Sequence, residues 1–167
     1  MTDDMQVYIA NLGKYNEGYL VGAWFSFPID EEDVKEKIGL NENYEEYAIH
    51  DTDNFPMEIG EYVSIEELNR MYEMMEDLPE YIVECLDEFV GHYGSLEEVA
   101  EHKDEVYFYP DCETMTEVAY YYIDELQTLG EIPSQLQDYI DYEAYGRMLD
   151  MVGTFISTSR GMCEIPD

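Results

Sequence analysis

Basic residues are what this sequence most lacks. Its 167 residues include only 7 lysines and arginines against 41 aspartates and glutamates, so the formal net charge is −34 at pH 7. Nucleic acids and anionic membrane surfaces repel a protein with this charge, because both carry dense negative charge themselves. We therefore exclude binding to either, and expect any charged partner to be basic.

Long apolar runs and a secretory signal are missing too. No run of about 18 apolar residues occurs that could cross a membrane as a helix. The first stretch, "MTDDMQVYIANLG", has no basic flank leading into the apolar core that a secretory signal needs. We expect a cytosolic protein. Cysteine is also scarce, and the odd number and wide spacing of Cys85, Cys112 and Cys163 predict reduced packing residues rather than disulfides or a zinc site.

Known catalytic and metal-binding motifs are absent as well. Asp51 and Asp53 resemble the start of a calcium loop, but Phe55 and Pro56 stand where a ligand and the glycine of that loop belong. The histidines lie far apart and in no zinc-protease pattern; they are His50, His92 and His102. We predict no catalytic residue, no metal ligand and no cofactor. A carboxylate pair for glycoside chemistry stays open, since 41 acids supply some suitable pair by chance.

What the chain has instead is enough apolar material to fold. It is 46% hydrophobic and 14% aromatic, whereas disordered acidic chains are poor in both. Acids and apolar residues alternate, as in residues 27–54, where ten carboxylates and two lysines surround residues such as Val34. The net charge is spread evenly, at −11, −12 and −11 over residues 1–60, 61–104 and 105–167. We interpret the acids as the surface of a fold, not as a tail.

Local signals in the first third predict a small α+β subdomain, residues 1–61. Apolar runs at residues 5–13 and 19–28, on either side of the turn-rich "GKYNEG", predict two antiparallel strands. Asp30 is placed to cap a helix that stops at Gly39, and "YEEYAIHD" predicts another strand.

The middle third, residues 62–104, has helical signals. Capping-box patterns begin at Ser64 and at Ser95, and Pro79 stands at a first-turn position. We predict three helices here, the second of them unbroken over residues 79–94.

The last third, residues 105–167, returns to mixed structure. We predict a strand at "VYFYPDC", a helix over "ETMTEVAYYYIDELQTLG" that ends at Gly130, and a helical stretch in "SQLQDYIDYEAYGRMLD". A hairpin is expected around Arg160 and Gly161. The predicted fold is therefore α+β, with three small subdomains in the order mixed, helical, mixed.

The amount of charge invites comparison with DNA. A compact 19.6-kDa monomer exposes roughly 8,500 Å², or about 250 Å² per net charge, against about 107 Å² for B-DNA. Acids concentrated on one side would match the duplex, and 34 charges correspond to about 58 Å of it. A DNA mimic, a halophile adaptation and a chaperone-like binder of basic nucleoid proteins all remain open on these grounds.

Four long stretches of the sequence resemble a known family. They are "MQVYIANLGKYNEGYLVGAWFSFPID", "EEYAIHDTDNFP", "LGEIPSQLQDYIDYEAYGRML" and "GTFISTSRG". Together they are similar to the ArdA antirestriction proteins of conjugative transposons and plasmids. The resemblance covers nearly the whole chain, and the middle third matches more by pattern than by wording.

The resemblance implies a function and a shape. It implies a DNA mimic, not an enzyme, in the bacterial cytoplasm, which occupies the DNA groove of type I restriction-modification enzymes, chiefly the methyltransferase core, and protects incoming mobile DNA. It also implies an elongated chain of three subdomains and a homodimer formed through the C-terminal part. The rival hypothesis is an acidic, chaperone-like binder of basic nucleoid proteins.

The acids that would imitate phosphates are taken as a distributed set, which we call the acidic set. It comprises Asp30, Glu31, Glu32, Asp33, Glu45, Glu46, Glu66, Glu67, Glu73, Glu76, Glu80, Glu84, Asp87, Glu88, Glu97, Glu98, Glu101, Asp124 and Glu125. Since many carboxylates share the work, no single one is expected to be essential.

Residues 126–140, "LQTLGEIPSQLQDYI", resemble the antirestriction motif of the family, and we call them the motif segment. With only Glu131 and Asp138 as acids, the segment is better suited to packing than to imitating phosphate. We expect it to support the dimer interface or the core of the third subdomain. The residues expected to do so are Leu126, Leu129, Gly130, Glu131, Ile132 and Pro133.

Overall fold

The computed structural model describes residues 2–167. Helices are combined with two antiparallel sheets, which confirms the α+β class. The chain divides into two compact units, one up to Ala100 and one from Glu101 onward. The three-subdomain division, with borders after residues 61 and 104, stays a prediction.

The sheet of the first unit has three strands. They are β1 (Gln6–Asn11), β2 (Gly22–Ser26) and β3 (Tyr47–Asp53), in the order β2-β1-β3 with both pairings antiparallel. The predicted pairing of the first two strands is confirmed, with Val7 opposite Phe25. One face is apolar because Val7 and Ile9 alternate with outward-facing residues, as the two-residue period of a strand requires.

The connection between β1 and β2 contains a short helix, α1 (Leu12–Asn16), where the sequence predicted only a turn. Asn11 explains the difference, because its side-chain oxygen accepts a hydrogen bond from the Lys14 backbone N–H at 3.1 Å and so caps the helix. The same buried side chain donates to the carbonyl oxygens of Ile38 at 3.0 Å and Gly39 at 3.3 Å.

Helix α2 (Glu31–Ile38) follows the predicted signals at both ends. The Asp30 side chain caps it by accepting from the Glu32 N–H, and Gly39 ends it with φ 71°, in the left-handed region that glycine adopts most easily. Val34 and Ile38 are fully buried against the apolar face of the sheet.

The rest of the helical stretch comprises α3 (Ile65–Glu76), α4 (Glu80–Glu84), α5 (Leu86–Tyr93) and α6 (Leu96–His102). The prediction of one unbroken helix over residues 79–94 is wrong. Cys85 has φ −116° and ψ 32°, outside the α-helical region, and its N–H bonds to Ile82 three residues back. This tight turn separates α4 from α5, while Ile82, Leu86 and Phe89 on both sides of it stay buried.

The sheet of the second unit contains the predicted hairpin. Its strands are β4 (Tyr107–Tyr109), β5 (Thr154–Thr158) and β6 (Gly161–Ile165), in the order β4-β6-β5. Gly161 is required at the turn, because it has φ 142° and a Cβ there would lie 2.3 Å from the carbonyl oxygen of Tyr109.

The helices of the second unit are shorter than predicted. Helix α7 (Met115–Tyr120) continues into a π-helical turn (Tyr121–Glu125), so the predicted helix ends five residues before Gly130. The chain leaves the helix at Gln127, where φ is 50°. The predicted stretch from residue 134 onward is divided into α8 (Ser134–Gln137) and α9 (Tyr142–Val152), since Asp141 caps a new helix by accepting from Ala144 N–H.

Helix α9 packs closely on the start of α7. A Cβ on Gly146 would lie 2.5 Å from the carbonyl oxygen of Met115, so only glycine permits this approach. The core beside it contains Tyr109, Val118 and Leu149, with Cys112 also buried. Cys163 is buried as well, so two of the three cysteines are packing residues, and none of the three forms a disulfide.

Candidate functional site

Carboxylates occupy the surface of both units. Across residues 2–167 the one buried polar or charged side chain is that of Asn11, so none of the 41 acids is buried. This follows from the high free-energy cost of taking an unpaired carboxylate out of water. The candidate site of this protein is therefore a surface rather than an enclosed centre.

The acidic set lies on this surface, but exposure does not distinguish it from the other acids. Fifteen of its nineteen members are exposed, and Asp33, Glu67, Glu84 and Glu97 are half-buried. The remaining twenty-two carboxylates of the chain are also unburied. Which of them contact a partner is untested, and the acidic set stays a prediction.

Helix periodicity directs the acids outward. In α3 the buried side chains include Ile65, Leu68 and Met75, three to seven residues apart, which places them on one face. Glu66 and Glu73, which are seven residues apart, are exposed on the opposite face. Each amphipathic helix of this kind presents a row of carboxylates to solvent.

Several basic side chains are already paired with acids of their own helix. In α2 the Lys35 ammonium lies 3.4 Å from Glu31 and 3.1 Å from Glu32, and Lys37 lies 2.9 Å from Asp33. These carboxylates and hydrogen bonds raise the pKa of Lys35, the hydrogen bond to Glu32 contributing most. Such exposed pairs contribute little to stability.

Arg70 makes the ion pair that joins two helices of the first unit. Its guanidinium lies 3.5 Å from Glu67 in α3 and 3.4 Å from Glu97 in α6. Because two carboxylates share one cation, the cluster remains net negative.

The mean charge density of the surface is lower than that of duplex DNA. The molecular surface measures 10202 Å², which leaves about 300 Å² for each of the 34 net charges. The corresponding area on B-DNA is about 107 Å², so the average surface here has about one third of the density of duplex. A region equal to duplex would need most of the acids on about a third of the surface.

The motif segment presents apolar side chains to solvent. Leu126, Leu129 and Leu136 are 49%, 56% and 54% exposed, and Tyr139 is 85% exposed. Several large apolar side chains exposed within one short segment are typical of an interaction surface.

Two residues of the motif segment turn inward instead. Ile132 and Ile140 pack against the cluster of Ala119, Ile123 and Tyr142. The segment is thus anchored to the core of the second unit through its isoleucines, while its leucines are exposed.

One carboxylate of the second unit has a structural role. Glu164, on β6, accepts hydrogen bonds from the hydroxyls of Tyr109, at 2.6 Å, and of Tyr122. Burial, and then these hydrogen bonds, raise the pKa of both tyrosines, that of Tyr122 to about 12. The cluster therefore stays protonated at the hydroxyls well above neutral pH.

A cavity in the first unit involves residues that the sequence did not single out. It measures about 510 Å³ and its lining includes the aromatic residues Tyr47 and Tyr62 beside Glu45 and Glu46. The acids belong to the acidic set, but the tyrosines were missed. Their only signal is that each follows a glutamate in an acidic stretch, which is common in this chain.

Residues 2–167, which the structure describes, lack two further features. They contain no helix long and apolar enough to span a membrane. Nor do they contain a group of three or more histidine, cysteine, aspartate or glutamate side chains arranged to hold a metal ion.

The fold and the surface together define an acidic α+β protein whose candidate site is its exposed carboxylates and one exposed apolar segment. A family model described as antirestriction protein (ArdA) matches residues 7–164, nearly the whole chain, and the protein therefore belongs to the ArdA antirestriction family. No curated protein matches it. Membership implies an antirestriction function exerted on restriction enzymes, and the family is not a known family of enzymes.

Proposed function

We propose that this protein is a DNA mimic that occupies the DNA-binding groove of type I restriction-modification enzymes, chiefly the methyltransferase core, and so protects incoming mobile DNA in the bacterial cytoplasm. The observation that carries the proposal is that none of the 41 acids is buried, together with a net charge of −34. A basic groove that evolved to hold phosphates attracts such a surface electrostatically.

The arrangement of the basic residues supports the same proposal. Lys35, Lys37 and Arg147 are paired with acids three or four residues away in their own helices. They are therefore engaged locally, and the surplus carboxylates set the field that a partner encounters. Distributed carboxylates on folded elements need little further ordering on binding, which favours association.

A competition experiment tests this proposal. A labelled duplex bound to a type I methyltransferase core should be displaced by the protein, and the displacement should weaken as salt rises. The logarithm of the protein's affinity should fall less steeply with the logarithm of the salt concentration than that of duplex does, because fixed carboxylates condense fewer counterions. Failure to displace duplex, together with tight binding to a basic nucleoid protein, would instead favour the chaperone-like alternative.

Variants of one helix sharpen the experiment. Replacing Glu66, Glu73 and Glu76 of α3 by glutamine removes three charges. Competition with duplex should weaken with each successive substitution. The matched control replaces the same residues by aspartate, which keeps the charge and shortens the side chain. Equal weakening by both triple variants would argue against an electrostatic contribution of this helix.

We also propose that the motif segment forms a homodimer interface. The exposure of Leu126, Leu129 and Leu136, and the presence of only two acids in fifteen residues, support this because interface cores are depleted of charge. Two copies that each carry a net charge of −34 repel each other, so buried apolar area would have to offset that repulsion.

The dimer is tested by charging one exposed leucine. Leu129→Asp should give monomers in light scattering, since a carboxylate would be buried in the interface. Leu20→Asp is the control, because Leu20 is 70% exposed in the first unit. A dimer that survives Leu129→Asp would refute an interface centred on this residue.

A further inference from the structure

The cavity of about 510 Å³ in the first unit, which we call the Tyr62 cavity, has properties beyond its charge. It is lined by Leu12, Glu45, Glu46, Tyr47, Tyr62 and Ser64. Many acids of this chain lie on helices, whereas these two lie outside them and flank a depression with aromatic residues in its lining.

Hydrogen bonds hold the walls of the Tyr62 cavity in place. The Tyr47 hydroxyl accepts from the Ile65 backbone N–H at 3.0 Å, which ties the start of β3 to the start of α3. The Glu46 carbonyl oxygen accepts from the Leu12 N–H at 3.0 Å. The cavity is therefore built between fixed elements and exists before any partner arrives.

The charge of the Tyr62 cavity is unbalanced. Glu45 and Glu46 are exposed acids, and none of the six lining residues is basic. An adjoining cavity of about 240 Å³ shares Glu45 and Tyr47 and has one basic lining residue, Lys35. That lysine is bonded to Glu31 and Glu32 of its own helix, so it leaves the two cavity glutamates uncompensated.

Tyr62 gives the cavity a chemical preference. Its side chain is 73% exposed, so the ring is available beside two carboxylates. The planar guanidinium group of arginine can stack on such a ring and at the same time donate two parallel hydrogen bonds to a carboxylate, whereas the ammonium group of lysine has no plane with which to do both.

We propose that the Tyr62 cavity receives an arginine side chain of the restriction enzyme. This inference rests on the proposed function and deepens it, because it assigns one anchoring contact within a surface that is otherwise distributed. Buried aromatic and arginine contacts commonly supply a large share of the binding energy of an interface. Tyr62 is then more important than any single carboxylate.

The first test needs no restriction enzyme. N-acetyl-arginine amide is titrated into the labelled protein at constant ionic strength, and the backbone amide shifts of Tyr47 and Tyr62 are followed by NMR. We expect these two signals to move more with the arginine compound than with N-acetyl-lysine amide, and Tyr62→Ser to remove the difference. Equal responses to both compounds would overturn the arginine preference.

The second test uses the duplex competition. Tyr62→Ser should weaken competition about five-fold, the scale of one partly desolvated cation–π contact. Tyr19→Ser is the matched control, because Tyr19 is 66% exposed in the same unit and does not line the cavity. Thermal unfolding of both variants should match that of the unchanged protein, since both rings are largely in solvent.

The outcomes separate this inference from the proposed function. If the unchanged protein fails to displace duplex, the proposed function fails, and with it the identity of the partner. If the unchanged protein displaces duplex and Tyr62→Ser competes as well as Tyr19→Ser, the proposed function stands and the arginine contact is refuted.

Discussion

The two units differ in how many large apolar side chains they expose to solvent. Among residues 2–100 of the first unit, the exposed large apolar residues are Tyr62 and four within residues 15–24, and the sheet and helices enclose their core. In the second unit the motif segment exposes three leucines within eleven residues, and Met151 and Val152 at the end of α9 are exposed as well. One unit therefore offers solvent chiefly charge, and the other offers charge and apolar surface.

The distribution of acids sharpens this contrast. Residues 1–100 contain 26 acids and 4 bases, and residues 101–167 contain 15 and 3, so both units are strongly negative. The motif segment, with two acids in fifteen residues, is the exception. A segment with so few charges on an otherwise acidic surface is suited to contact with another apolar surface.

The largest expected effect concerns the packing of the second unit. Gly146→Ala should lower the free energy of unfolding by about 2 to 3 kcal/mol, because its Cβ would lie 2.5 Å from a backbone oxygen that cannot move freely. Gly91→Ala in α5 is the matched control in the first unit. No atom lies within 4 Å of a Cβ there, so stability should rise by about 0.5 to 1 kcal/mol. Urea unfolding measures both, and a neutral Gly146→Ala would contradict the close approach of α7 and α9.

The next effect distinguishes the two sides of the motif segment. Ile132→Asp should destabilise the protein by about 2 kcal/mol, because it places a carboxylate against the cluster around Ile123. Leu129→Asp should change the unfolding free energy of the monomer by less than about 0.5 kcal/mol, since that side chain is exposed. Unfolding at a concentration where both variants are monomeric provides the comparison. Similar losses would mean that the segment has no inward and outward face.

A third prediction compares tyrosine–glutamate pairs in the two units. The pKa values of Tyr122 and, in the first unit, Tyr72 are both raised to about 12, the latter mainly by its 2.7 Å hydrogen bond to Glu76. Folding thus favours the protonated hydroxyls, and this stability is fully present below the unfolded pKa of about 10. It should be lost as pH rises from about 10 through 12.

Phenylalanine variants test that dependence. Tyr122→Phe and Tyr72→Phe should each cost about 1 kcal/mol at pH 8 and make the alkaline loss of stability smaller. Urea unfolding between pH 8 and pH 12 gives both quantities, and an unchanged alkaline slope would contradict the assignment.

The smallest effect is expected for single acids. Asp87→Asn in the first unit and Glu125→Gln in the second should each weaken duplex competition by less than about two-fold, because the charge is shared. A single amide substitution that abolished competition without unfolding the protein would contradict a distributed surface.

Much of the fold could be predicted because its signals are local. Asp30 and Gly39 mark the ends of α2 through capping chemistry, and the hairpin at Gly161 follows from a turn residue between apolar runs. The break at Cys85 could not be predicted, since the apolar stripe of Ile82 and Leu86 continues across it. The end of the π-helical turn was missed for a similar reason, because a left-handed Gln127 has no reliable sequence signal.

The candidate site could be predicted only in part. That the acids avoid the interior follows from the cost of burying charge, and no member of the acidic set is buried. The sequence does not predict which acids face a partner, because the hydration and charge of an exposed carboxylate are the same wherever it lies on the surface. The Tyr62 cavity was missed because tertiary contacts, not spacing along the chain, bring Tyr62 and Glu46 together. The hydrogen bond from the Ile65 N–H to the Tyr47 hydroxyl holds the start of α3 against the start of β3.

The absence of buried carboxylates has a consequence for how such a sequence can vary. Apart from Glu164, which two tyrosines bind, most acids could exchange with neutral polar neighbours without disturbing the interior. A gene for this protein can therefore relocate its charges from one lineage to the next while the hydrophobic residues beneath them stay in register. Under the proposed function, redistributing glutamates alone would adapt the protein to restriction enzymes with slightly different grooves, with no new fold required.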